Sequence, residues 1–198
     1  MAAIVSGEPL PQRLIALIGM PGGGKSTVGR QLAKRLSLPF VDSDAVIEQR
    51  IHESIRSYFE REGEERFRDL EQQVISELVQ TASAVLATGG GAVLRETNRQ
   101  ALHDHSIVVY LSSTPEELAR RLKHDTQRPL LQGVNPQEQL NKLFAERDPL
   151  YRQTAHFVVE ALRPSVSALV NTIVMQLESA GVVAPGGPAS AKGAGSVS

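Results

Sequence analysis

Gly19-Met20-Pro21-Gly22-Gly23-Gly24-Lys25-Ser26 satisfies the pattern G-x-x-x-x-G-K-[ST], and its flanks give that pattern a structural setting. The apolar run Leu14-Ile15-Ala16-Leu17-Ile18 before it reads as a buried strand, and Val28, Leu32 and Leu36 recur after it at helical spacing. A strand, a glycine loop and a helix in this order let backbone N–H groups converge on phosphate oxygens, with the positive end of the helix behind them. Gly22, Gly23, Gly24, Lys25, Ser26 and Thr27 are the candidate phosphate ligands. Lys25 reaches the β- and γ-phosphates in such a loop, and Ser26 offers its hydroxyl to Mg²⁺. The alternative is a glycine turn beside a solvated lysine. The loop implies a nucleotide and leaves its use open.

The chain has 198 residues, enough for one domain with a substantial core. Its net charge of −1 argues against a global attraction to nucleic acid or anionic membrane, so local clusters must carry anion recognition. There is no cysteine, which excludes disulfides, thiolate metal sites and thiol nucleophiles. No basic segment followed by an apolar core opens the chain, and no apolar run approaches the ~18 residues of a membrane span. A cytoplasmic protein is expected. Residues 1–12 read as a flexible arm and residues 181–198, rich in Gly, Ala, Pro and Ser, as a disordered tail. The folded domain is expected at 13–180.

Within it, strands are expected at Leu14–Ile18, Pro39–Asp42, Ala84–Thr88, Ile107–Leu111 and Phe157–Glu160. Helices are expected at Lys25–Leu36, Asp44–Ile51, Ile55–Glu62, Glu64–Leu78, Glu96–Leu102, Pro115–Leu122, Gln137–Asp148 and Ser165–Glu178. Strands separated by helices pair in parallel through right-handed crossovers. The expected fold is therefore α/β, a three-layer α/β/α sandwich around a five-stranded parallel sheet, with ligands along the carboxyl edge. Between Leu122 and Pro136 the periodicity fails, although Lys123, His124 and Arg128 lie there. This stretch, about 123–135, reads as a mobile lid or an ordinary surface loop.

Five further clusters suggest chemistry. Asp42-Ser43-Asp44 closes the second strand, where period-two alternation would turn both carboxylates to one side, toward a metal's water shell and a substrate hydroxyl. Helix capping by Ser43 or Asp44 competes with that reading. Arg68 sits on a charged helix, three residues from Glu71, where surface ion pairs are the plain alternative. Gly89-Gly90-Gly91 follow the third strand and would let a ligand approach the backbone closely, or simply turn the chain. Arg128 in Arg128-Pro129-Leu130-Leu131 and Arg147 in Arg147-Asp148-Pro149-Leu150-Tyr151 offer planar forks to anions, although Arg147 near a helix end also suits the helix dipole. His103 and His105 read as surface residues.

In order and spacing, G-x-x-G-x-G-K-S-T, D-S-D, F-R-D-x-E, G-G-G, R-P-L-L and R-D-P-L-Y together resemble the shikimate kinases from about Ile15 to Tyr151. The resemblance implies a P-loop kinase fold with a lid, ATP as co-substrate and Mg²⁺. Gly22 to Thr27 would hold the phosphates, Ser26 and Asp42 the metal. Asp44 would bind the ring hydroxyls and accept the proton of the transferred one. Arg68 and Arg147 would grip the shikimate carboxylate, with Gly89, Gly90 and Gly91 lining the ring pocket. Lys25 and Arg128 would stabilise the moving phosphoryl group. Arg121 is similar to an arginine that stacks on adenine in some members, and Arg163 falls in the adenine-side loop. A monomer acting on shikimate and ATP, without nucleic acid or membrane, is the expected form. A gluconate kinase, a shikimate sensor and an ATP-driven switch are the rivals. The two arginines and the triple glycine speak against the first, and the lack of a DNA-binding module against the second. The third would call for further domains.

Overall fold

The computed structural model describes residues 13–81, 83–122, 136–161 and 165–185. The expected arm, the lid with Arg128, Arg163, and residues 186–198 of the expected tail lie outside the described residues. Five strands, β1 (Leu14–Ile18), β2 (Phe40–Asp42), β3 (Val85–Ala87), β4 (Ser106–Ser112) and β5 (Phe157–Glu160), form one sheet. Their order is β2-β3-β1-β4-β5 and every pairing is parallel. The described helices are α1 (Lys25–Leu36), α2 (Ser43–Ile51), α3 (Ile55–Glu62), α4 (Glu64–Leu78), α5 (Glu96–His105), α6 (Pro115–Leu122), α7 (Pro136–Thr154) and α8 (Val166–Ser179).

Strand β1 lies at the centre and is covered on both faces, which is why its sequence runs apolar without alternation. Ile15 and Leu17 point to one layer, with Val28 and Leu32 of α1 and Ile173 and Leu177 of α8. Leu14, Ala16 and Ile18 point to the other, with Ile75 of α4, Leu102 of α5, Leu140 and Tyr151 of α7. A third cluster, Ile47, Phe67 and Val74, packs α2 against α4. Beyond α8, Val182 and Val183 still pack on the α1–α8 layer, past the expected boundary at Ala180.

Two departures from the expected elements bear on the site. Strand β2 stops at Asp42 and α2 begins at Ser43, so Asp44 belongs to a helix and strand alternation does not place it. Asp42, rather than Ser43 or Asp44, is the cap: its Oδ1 accepts from the Asp44 N–H at 3.1 Å. Helix α7 also continues through Pro149 to Thr154 instead of ending at Asp148. The proline removes one backbone bond, a cost of about 3 kcal/mol in a helix interior. Full burial of Tyr151 and its stacking on Tyr110, with centroids 5.0 Å apart, offset that cost. Arg147 therefore sits inside the helix, and an interaction with the helix C-terminus does not explain it.

At the opposite end of β4, His103 stacks on His156 with ring centroids 4.3 Å apart. The His156 Nδ1 accepts from the Val108 N–H at 3.0 Å, which requires that nitrogen to be unprotonated. Burial, with His103 and Arg13 nearby, pushes the His156 pKa below its ordinary value. A depressed histidine binds fewer protons folded than unfolded, so its contribution is present above the unfolded pKa of about 6.5 and is lost as pH falls below it. The melting temperature is expected to drop on acidification from pH 7.5 to 5.5, and His156→Leu to flatten that slope; an equally steep slope in the variant would remove His156 as its source.

Candidate active site

The phosphate loop joins β1 to α1 at the carboxyl edge of the sheet. Gly24 precedes α1 with φ 84°, a left-handed backbone that a side chain would strain. Lys25 is buried, and its Nζ donates to the carbonyls of Gly19 and Met20, both at 2.9 Å. The ammonium thus folds back over its own loop, at the mouth of a cleft of about 600 Å³. Gly22, Gly24, Lys25, Ser26 and Thr27 line this cleft on one side, and Asp42, Asp44, Glu48, Ile55, Thr88 and Gly90 on the other. Gly23 turns inward, its N–H bonded to the Met20 carbonyl at 3.1 Å.

Ser26 Oγ donates to Asp42 Oδ2 at 2.7 Å. The same carboxylate therefore caps α2 with one oxygen and orients the loop hydroxyl with the other. Asp44 follows in the first turn of α2 and lines the same cleft. Burial, reinforced by Asp42 and opposed by Lys25, raises its pKa from 3.8 to about 6. A carboxylic acid tuned toward neutrality beside a phosphate loop has the character of a proton acceptor.

The three glycines after β3 are where the charged groups meet. A Cβ on Gly89 would stand 2.6 Å from Asp44 Oδ1, and one on Gly91 would collide with the Arg68 guanidinium. Gly90 offers its carbonyl to Arg147 Nη1 at 3.3 Å, and a Cβ there would strike Pro21 of the phosphate loop at 2.6 Å. The triple glycine is thus a platform on which an acid and two arginines converge, rather than a plain turn. Its first N–H donates to the buried Ser43 hydroxyl at 3.1 Å, which ties the platform to the start of α2. Gly89→Ala is expected to abolish most turnover by displacing Asp44, with the fold kept; the checks are steady-state kinetics and circular dichroism.

Arg68 is only partly a helix-surface residue. Its Nη1 donates at 2.7 Å to Glu71, whose side chain is 1% exposed, and weaker bonds run to Glu64. Burial raises the Glu71 pKa, while Arg68 and Arg147 hold it down. The sequence offers Glu71 only as an ion-pair mate of Arg68, although it interrupts the apolar stripe Phe67-Leu70-Val74-Leu78 from an inward position: an acid at a core-facing helical site was the available signal. Thr88, Glu48 and Ile55 also line the cleft and carry no comparable mark, and Ser43 reads only as a helix cap. On the far side of the sheet, Arg121 of α6 donates to the Ala161 carbonyl at 2.7 Å. This places it at the end of β5, away from the platform.

The family model for shikimate kinase matches residues 21–178. The chain belongs to the shikimate kinase family. It is 57% identical to the shikimate kinase of Paracidovorax citrulli, over 88% of this chain and 97% of that protein. It is 52% identical to that of Burkholderia thailandensis, over 88% and 95% respectively. Among solved structures, a shikimate kinase from Acinetobacter baumannii in complex with shikimate superposes with a TM-score of 0.82 at 42% identity, covering 89% of this chain and 97% of that one. A gluconokinase from Sinorhizobium meliloti shares the fold, with a TM-score of 0.60 at 20% identity over 86% of this chain and 94% of that one. Shikimate kinase membership thus meets a site whose phosphate loop shares one cleft with Asp44 and Gly90.

Proposed function

We propose that the chain transfers the γ-phosphoryl group of ATP to the 3-hydroxyl of shikimate, giving shikimate 3-phosphate and ADP in chorismate and aromatic amino acid biosynthesis. One observation carries the assignment of residues: Asp44, Arg68 and Arg147 meet at Gly89, Gly91 and Gly90, beside the phosphate loop. An acid for a hydroxyl and two planar cations for a carboxylate suit a small hydroxy acid held against the donor.

In this reading Gly22, Gly23, Gly24, Ser26 and Thr27 hold the ATP phosphates, and Lys25 leaves the loop carbonyls for the β- and γ-phosphates. Ser26 and Asp42 fit Mg²⁺ on their own chemistry. Both are hard oxygen donors, and the Ser26 proton already points at Asp42, leaving the hydroxyl lone pairs toward the cleft. The ion, when bound, supplies positive charge to the phosphate oxygens. Arg68 and Arg147 fix the acceptor carboxylate, which decides the hydroxyl that faces ATP. Asp44 orients that hydroxyl and receives its proton as the O–P bond forms, then releases it to solvent. Arg128 closes over the phosphates with the lid at 123–135, and Arg121 and Arg163 flank adenine.

A monomer belongs to the same reading, since one compact domain with no coiled-coil pattern suffices for it. Among the described residues no helix is long and apolar enough to cross a membrane, in keeping with cytoplasmic work on small molecules. Purified protein supplied with ATP, Mg²⁺ and shikimate should release one ADP per shikimate consumed. Equal ADP release with gluconate, or none with shikimate, would contradict the assignment.

A further inference from the structure

Tyr151 belongs to neither substrate in the reading above, yet its hydroxyl ends on the acceptor platform. It lies one turn after Arg147 on α7 and is fully buried. Its hydroxyl donates to the Gly90 carbonyl at 2.6 Å, the same oxygen that Arg147 Nη1 reaches at 3.3 Å. The carbonyl oxygen has two lone pairs and accepts from both, the tyrosine holding the shorter bond. Arg147 Nε is buried without a hydrogen-bond partner, and the Gly90 carbonyl and the adjacent Tyr151 hydroxyl are contacts that orient the guanidinium. Burial raises the Tyr151 pKa, with Arg147 opposing from beside the hydroxyl; the group stays a neutral donor at any working pH.

The ring is fixed from behind. Tyr110 stacks on it, and the Tyr110 hydroxyl donates to Asp148 Oδ1 at 2.8 Å, while Arg152 holds Asp148 Oδ2 at 2.8 Å. This arrangement anchors α7 to β4 just after Arg147.

We propose that Tyr151 is a positioning residue for the acceptor carboxylate: by fixing the Gly90 carbonyl, on which Arg147 Nη1 also leans, it sets where the guanidinium presents its remaining N–H groups to the ligand. The proposal rests on the reading that Arg147 grips that carboxylate. Without the hydroxyl, the Gly90 carbonyl keeps only the longer of its two bonds, and the loop and the guanidinium that leans on it lose a fixed position.

Tyr151→Phe keeps the ring and removes only the donor. Its KM for shikimate is expected to rise about five- to tenfold, with KM for ATP unchanged and kcat altered by less than KM. The decisive readout is the preference for shikimate over its methyl ester, which carries no carboxylate charge. That preference should narrow in the variant by about the same factor. An unaltered preference, or equal rises in KM for both nucleotide and acceptor, would make the hydroxyl a structural bond and overturn the proposal. If the wild type and Arg147→Ala both treat acid and ester alike, the reading of Arg147 itself fails, and the proposal with it.

Discussion

Asp44→Asn is expected to lower kcat by at least about a hundredfold while making the folded protein more stable at neutral pH. The loss follows from removing the group that orients the acceptor hydroxyl and takes its proton, a role worth about 10² to 10⁴ in rate. The gain follows from the raised pKa. The folded state holds the Asp44 proton more tightly than the unfolded chain, up to about 6 against 3.8. Its ionisation therefore costs nothing below about pH 4, and the cost grows through the interval to its full size above pH 6. A difference of that size corresponds to roughly 3 kcal/mol at most. Asparagine lacks the penalty, so the variant's melting temperature should match wild type near pH 4 and exceed it above pH 6.5. In the wild type, kcat/KM should fall as pH drops below about 6. Near-normal turnover in the variant would reduce Asp44 to a first-turn acid on α2.

Arg68→Ala is expected to act twice. Losing one of the two cations assigned to the acceptor carboxylate should raise KM for shikimate about a hundredfold, since truncating one partner of a buried charged contact costs about 2–5 kcal/mol. It also strands Glu71, which is 1% exposed and has Arg68 as its close partner. Breaking a buried pair from one side typically costs about 3–5 kcal/mol, here lessened by Arg147 and by protonation of the acid. The double variant Arg68→Ala/Glu71→Gln separates the effects: denaturant melts should recover most of the stability, and the shikimate KM should stay high. Unchanged affinity in the single variant would return Arg68 to a helix-surface ion pair.

These effects also show where the sequence was legible. The phosphate loop, α1 and β1 read directly, because a positive-φ glycine, a buried apolar run and a helical period are local requirements. Parallel pairing and the two-sided core followed from alternating strands and helices, whereas the strand order did not. The convergence of Asp42 and Asp44 was anticipated for the wrong reason: a cap on α2, not strand alternation, sets their geometry. Pro149 hid the end of α7, since local propensity opposed a helix that tertiary burial of Tyr151 sustains. Tyr151 was missed because its partner is 61 residues away on the glycine platform, a contact that no local pattern encodes. Glu71 was legible as the mate of Arg68 and as an acid at a core-facing helical position, and only its approach to Gly89 was not.

The central claim is that one acceptor molecule bridges Asp44 and the two arginines across the triple glycine. A crystal structure with ADP, Mg²⁺ and shikimate tests it most directly. The carboxylate should lie within about 3 Å of the Arg68 and Arg147 guanidiniums, with the 3-hydroxyl at similar distance from Asp44 and facing the nucleotide. A carboxylate bound away from both arginines, or a 3-hydroxyl turned from Asp44, would contradict the account.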